Sequence, residues 1–164
     1  MRREFYSLRN VLEGIAALDE QLIQTEEGFD PVTDDSVAPF AGILAFEFIQ
    51  WHTFQSYLWV LAGYEFIRTV DQKIRKNPKC TSPQTASLVT SVKRHFERVR
   101  VPLAKLEAAK KHSATDRAIA YPLFDLNNGV AWTLNEHECI YRRDLSESLL
   151  ILLERWEPVA QRHR

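Results

Sequence analysis

The 164 residues are 45% hydrophobic and 26% charged, with a formal net charge of −1. That balance excludes a disordered chain and leaves no overall charge to attract nucleic acid. A chain of this length can bury about two thirds of its unfolded surface within one domain, so 1–164 is read as a single domain needing no disulfide or metal staple. The charge is nonetheless divided by position. Residues 1–72 carry four Arg against twelve Asp and Glu, residues 73–117 carry twelve Lys and Arg against three acids, and the rest is near balance. A basic middle segment of this kind either binds a phosphate backbone or holds the chain's own acids.

Phe5, Leu8, Leu12, Ile15, Leu18 and Leu22 recur at three- and four-residue steps and predict an amphipathic helix over 3–25. Gly28, Pro31 and the acids Asp30, Asp34 and Asp35 follow, and 26–38 reads as a mobile acidic loop. The segment 40–76 contains no helix breaker except Gly42 and Gly63. It is dense in aromatic residues: Phe40, Phe46, Phe48, Trp51, Phe54, Tyr57, Trp59, Tyr64 and Phe66 fall on nearly every side of a helical wheel. A helix apolar all round belongs at the centre of a bundle. Ser56 and Gly63 share one side with Val60 and Ile67, leaving a groove that a neighbouring helix can enter.

Ser82 before Pro83 supplies an N-cap and a first-turn proline, so a basic helix is expected over 83–112 with a kink at Pro102. Beyond it, Ile119, Tyr121 and Leu123 alternate, Asn127-Asn128-Gly129 marks a turn, and Val130, Trp132 and Leu134 alternate again. This is the pattern of a small antiparallel β-meander or hairpin over 118–143. Asp144-Leu145-Ser146-Glu147 reads as a capping box for a last helix over 145–157. The expected fold is mainly α, a bundle of about four helices around the long aromatic-rich helix, with a small β element before the last one.

Few residues suggest chemistry. On the basic helix, Lys93 pairs with Glu97, and Glu107 with Lys111, at four-residue spacing, which describes a self-compensated surface. Arg94, Arg98 and Lys105 fall together on the other flank with no acid among them, and are the candidates for a phosphate or an acidic partner. Glu65 and Arg68 are the candidate buried polar pair, because Glu65 projects from the Trp51, Phe54, Leu58 side of the aromatic helix and a buried carboxylate must be paired or protonated. The histidines His52, His95, His112, His137 and His163 lack metal-ligand spacing, and Cys80 and Cys139 form no redox or zinc motif, so neither metal nor cofactor is expected. The first twenty residues lack a signal-peptide core, and Gln55, Ser56, Glu65 and Arg68 interrupt the greasiest stretch. A soluble cytoplasmic protein is the reading that follows.

The long aromatic helix beside a basic one, over 40–112, resembles in architecture the HEPN domains of many bacterial RNases and toxins. That resemblance implies a helical bundle and an association with nucleic acid. The family's nuclease motif joins an Arg to a His at a fixed short spacing that no Arg of this chain has, so no catalytic residue carries over. The leading expectation is a non-catalytic interaction or self-associating domain whose partner is a second copy or another protein. A nucleic-acid-associated protein using the basic patch is the alternative. A small-molecule enzyme with a pocket near Trp51, Tyr57, Glu65 and Arg68 is the third.

Overall fold

Helix α1 spans Arg2–Glu27, α2 Ala41–Lys76, α3 Pro83–Lys105 and α4 Arg142–Glu154. Strands β1 (Tyr121–Asp125), β2 (Gly129–Thr133) and β3 (Cys139–Tyr141) form an antiparallel sheet in the order β1-β2-β3. These elements come from a computed structural model that describes residues 2–29 and 41–156. The fold is mainly α with a small sheet before the last helix, as expected.

The packing follows from which face each helix can bury. On α1, Ile15 and Leu22 are buried, with Leu8, Leu12 and Leu18 packed against the same core. On α2, His52, Ser56, Trp59, Val60, Gly63, Ile67, Val70, Asp71 and Ile74 turn inward at three- and four-residue steps. The Trp59 indole donates to the carbonyl of Ile15 at 3.1 Å, which ties α2 to α1. The expected groove is filled by the Phe96 ring of α3. A Cβ on Gly63 would come within 2.6 Å of Phe96 Cε1, so only glycine lets the two helices pack this closely. Trp59 meets the same ring, with centroids 5.5 Å apart.

Only one side of α2 is buried, and the expectation of a helix covered all round is corrected. The residues Phe46, Trp51, Phe54 and Leu58 retain 60, 62, 47 and 43% of their exposure. Trp51, Phe54 and Leu58 lie on the side of the helix opposite the buried Ser56, Gly63 and Ile67, with Phe54 at the edge of a groove against the end of α3 and β1.

Ser82 caps α3 as expected, its hydroxyl accepting from the Thr85 amide at 3.1 Å with Pro83 in the first turn. The helix stops at Lys105, seven residues before the expected end, because Leu106 adopts a left-handed conformation, φ 57°. A single 3-10 turn at Lys110–His112 then runs back along α3. The turn between β1 and β2 is built by Asp125, whose Oδ1 accepts from the amides of Asn127 and Asn128 at 2.9 and 2.8 Å. Trp132 pairs with Pro122 on one side and Ile140 on the other, and β2 is buried along nearly its whole length.

The start of α4 lies three residues before the expected one. Asp144 is not its N-cap but sits inside the first turn, where its Oδ2 accepts from the Tyr141 amide at 3.2 Å. The earlier start is favoured by Arg142, which enters the core and meets a buried carboxylate. Of the expected acidic loop, Glu26 and Glu27 belong to α1, and residues 30–38 lie outside the described part.

Candidate functional site

Four arrangements could carry function: a buried ionic cluster, an arginine clamp, a basic cavity and an apolar groove. The first centres on Glu26 at the end of α1. Its carboxylate accepts from His52 Nε2 at 2.9 Å, from Arg142 Nη2 at 3.0 Å and from Arg143 Nε at 3.0 Å. Arg142 has no exposure and also binds Asp19, which in turn accepts from the Ser146 hydroxyl. Burial by itself raises the Glu26 pKa, but the His52 hydrogen bond and the two guanidinium groups outweigh it and hold the carboxyl at about 2. The ionised carboxylate can only accept, so His52 Nε2 carries the proton. Nδ1 is then a buried atom without a partner among the described residues. The His52 ring stacks on Phe48 and meets the edge of Phe124, which leaves it no open side of the kind a substrate needs.

Arg98 is the clamp. Its Nε and Nη2 donate to Asp116 at 2.7 and 2.8 Å, and Nη1 and Nη2 donate to Glu138. Four of its five N–H groups are engaged in this way, which leaves little for a phosphate. The hydrogen bonds from Arg98 lower the pKa of both carboxyls. The interaction pins the segment after α3 and the β2–β3 connection to the helix. Beside it lies a broad groove of about 870 Å³ bordered by His112, Arg117, Asn135 and His137.

The other two members of the sequence-derived cation set lie elsewhere. Lys105 is exposed and 3.5 Å from Glu107. Arg94 borders a cavity of about 290 Å³ that also takes in Arg75, Lys93, Lys110, Lys111 and Glu97. Arg94, Arg98 and Lys105 therefore do not meet at one surface. Lys93 and Arg75 share the buried carboxylate of Asp71, at 2.7 and 3.1 Å. The proximity of Lys110 and Lys111 to Arg94 was not legible in sequence, because a helix continued to 112 would carry them away from it. Leu106 makes the difference by reversing the chain.

Glu65 and Arg68 do pair, Nε to Oε2 at 2.8 Å, but on the surface. The Glu65 side chain keeps 47% of its exposure. Its expected burial is corrected, since it lies on the outward face of α2, and Arg100 stands 3.8 Å away from the α3 side. Neither Glu65 nor Arg68 lines the apolar groove beside α2. Tyr57 does: with Phe54, Leu103, Leu123, Phe124 and Trp132 it lines an apolar groove of about 540 Å³ between α2, the end of α3 and β1.

Sequence reasoning missed Glu26, His52 and Arg142 as a unit. Nothing in linear spacing joins positions 116 residues apart. The one available signal was Gly129 after two asparagines, since it approaches Glu26 so closely that a Cβ there would lie 2.2 Å from the carboxyl carbon. Among the described residues, no group of three or more His, Cys, Asp and Glu is placed to hold a metal ion, and no helix is long and apolar enough to cross a membrane. Comparison with protein-family models, curated proteins and solved structures gives no match to this chain.

Proposed function

We propose that the chain is a non-catalytic interaction domain that pairs with a second copy of itself through the outward face of α2. The carrying observation is the exposure of Trp51, Phe54 and Leu58 along one face of α2, flanked by exposed Phe46, with Trp51 and Phe54 ring centroids 5.7 Å apart. This stripe runs into the apolar groove, whose far rim carries exposed Leu123. Large apolar side chains gathered at a surface mark an interaction site. Between Glu47 and Glu65 the helix has no Asp, Glu, Lys or Arg. The uncharged middle of this face, around Trp51, Phe54 and Leu58, does not repel its own copy, and it gives a partner of another kind no charge to select, so a two-fold pairing fits it best. The ionic clusters support a structural role for the buried charge, because each carboxylate in them is held by the chain's own cations. An intracellular setting belongs to this reading, supported by two cysteines at no paired spacing.

Sedimentation velocity across a hundredfold concentration range tests the proposal. The native chain should shift from monomer to dimer and the dimer should persist as salt rises, since apolar burial is not screened. The double substitution Trp51→Glu and Phe54→Glu should remain monomeric while keeping its helical circular dichroism, because both residues already face outward. A native chain that stays monomeric throughout, or a dimer indifferent to both substitutions, defeats the reading.

A further inference from the structure

The cavity beside Arg94 is an unusual concentration of like charge. Arg75 reaches it from the end of α2, Lys93 and Arg94 from the middle of α3, and Lys110 and Lys111 from the 3-10 turn. Five cations face Glu97 and the buried Asp71, a net excess of three positive charges with histidine neutral. Asp71 is already shared by Lys93 and Arg75. Arg94, Lys110 and Lys111 make no side-chain hydrogen bond or ion pair with the described residues.

Like charges brought together from three elements repel one another, and since Glu97 and Asp71 offset only part of that charge, the site gains when an anion enters. Their convergence is also enforced. Ala109 is buried, the His112 amide donates to its carbonyl at 2.7 Å, and the Asp116 amide donates to the His112 carbonyl at 2.8 Å. Asp116 is in turn locked to Arg98 at 2.7 Å. The clamp thus presses the lysine turn against α3 at the height of Arg94, and Arg98 acts as a positioning residue for the cavity.

We propose that this cavity binds a compact polyphosphate, of the size and charge of pyrophosphate or tripolyphosphate. The shape argues for a small polyanion and against a polynucleotide. The cations surround a hollow of about 290 Å³ rather than forming a stripe along the surface, and among the described residues the only aromatic side chain at its edge is the His112 imidazole. Bases splayed from a nucleic-acid backbone would find no stacking platform there. This site is separate from the apolar face of α2, and the two can fail independently.

Isothermal titration with pyrophosphate, at an ionic strength held constant with sodium chloride, tests the assignment. Saturable one-to-one binding is expected, weakened about tenfold by Arg94→Ala and again by Lys111→Ala. Both residues are exposed, so the fold should survive. Lys105→Ala, outside the cavity, should bind as the native chain does. Arg98→Ala should weaken binding although Arg98 lends the anion almost no donor, and hydrogen exchange over 108–117 should rise in the same variant. Absence of saturable binding, or equal affinity in the Arg94→Ala, Lys111→Ala double variant, overturns the proposal. It is equally overturned if a single-stranded oligonucleotide binds more tightly than pyrophosphate and competes with it, for that outcome makes the cations part of a nucleic-acid surface.

Discussion

Glu26 shows what a single buried carboxylate demands. Desolvation alone would drive it to protonate, and a lone charge at that depth would cost several kcal/mol. With His52, Arg142 and Arg143 around it the balance reverses, and its pKa in the fold falls from 4.5 to about 2. The sign of the pH dependence follows. A group whose folded pKa is depressed stabilises the fold above its unfolded pKa, and that contribution disappears as pH falls from about 4.5 toward 2. The difference corresponds to about 3 kcal/mol. Asp116 and Glu138, held down by Arg98, act in the same direction. Acid titration followed by denaturant melts should show stability declining through this window. The Glu26→Gln variant should lose about 3 to 5 kcal/mol at neutral pH and show a shallower decline, because the buried Arg142 then loses one of its two carboxylate partners.

At the scale of elements, two glycines separate propensity from packing. Alanine is worth about 1 kcal/mol over glycine inside a helix, so Gly63→Ala should stabilise α2 if propensity decided the matter. The new Cβ would sit 2.6 Å from the fully buried Phe96 ring, and overpacking of this kind costs about 1 to 3 kcal/mol, so a net loss of about 1 kcal/mol is expected. Gly129→Ala should cost more, because a positive φ of 75° adds backbone strain to the 2.2 Å clash with Glu26. Thermal melts of the two variants should rank them in that order. The element pattern was legible because three- and four-residue periods, Ser82-Pro83 and the Asn-Asn-Gly turn are all local. The end of α3 was not. Residues 106–112 continue the helical pattern in composition, and only the left-handed turn at Leu106, fixed by contacts the linear sequence does not display, breaks it. The candidate site was legible in part for the same reason. Arg94 could be picked out on a helical wheel, whereas Lys110 and Lys111 join it only through the reversal. Glu65 was misplaced because a wheel shows which residues share a face without showing which face the fold covers.

Over the whole molecule, the division of charge in the sequence resolves into crossed pairings. The acids of α1 meet Arg142 and Arg143 from the last third of the chain. The basic helix meets Glu65 and Asp71 of α2, and Asp116 and Glu138 beyond its own end. Among the described residues, two features stand apart from these pairings: the small cationic hollow beside Arg94 and the apolar stripe of α2 around Trp51 and Phe54. The pairing of Glu26 with Arg142 also has a temporal meaning. It closes 116 residues of chain, so its loop entropy is paid before any of its favourable contacts form, and it should be made after α2 and α3 have docked. Replacing Arg142 with Met should therefore leave the refolding rate nearly unchanged and raise the unfolding rate, the mark of a contact absent from the transition state. Stopped-flow chevrons of the two chains would show it. On that account the buried arginine is the latch fastened last, and it governs how long the molecule stays folded rather than how quickly it gets there.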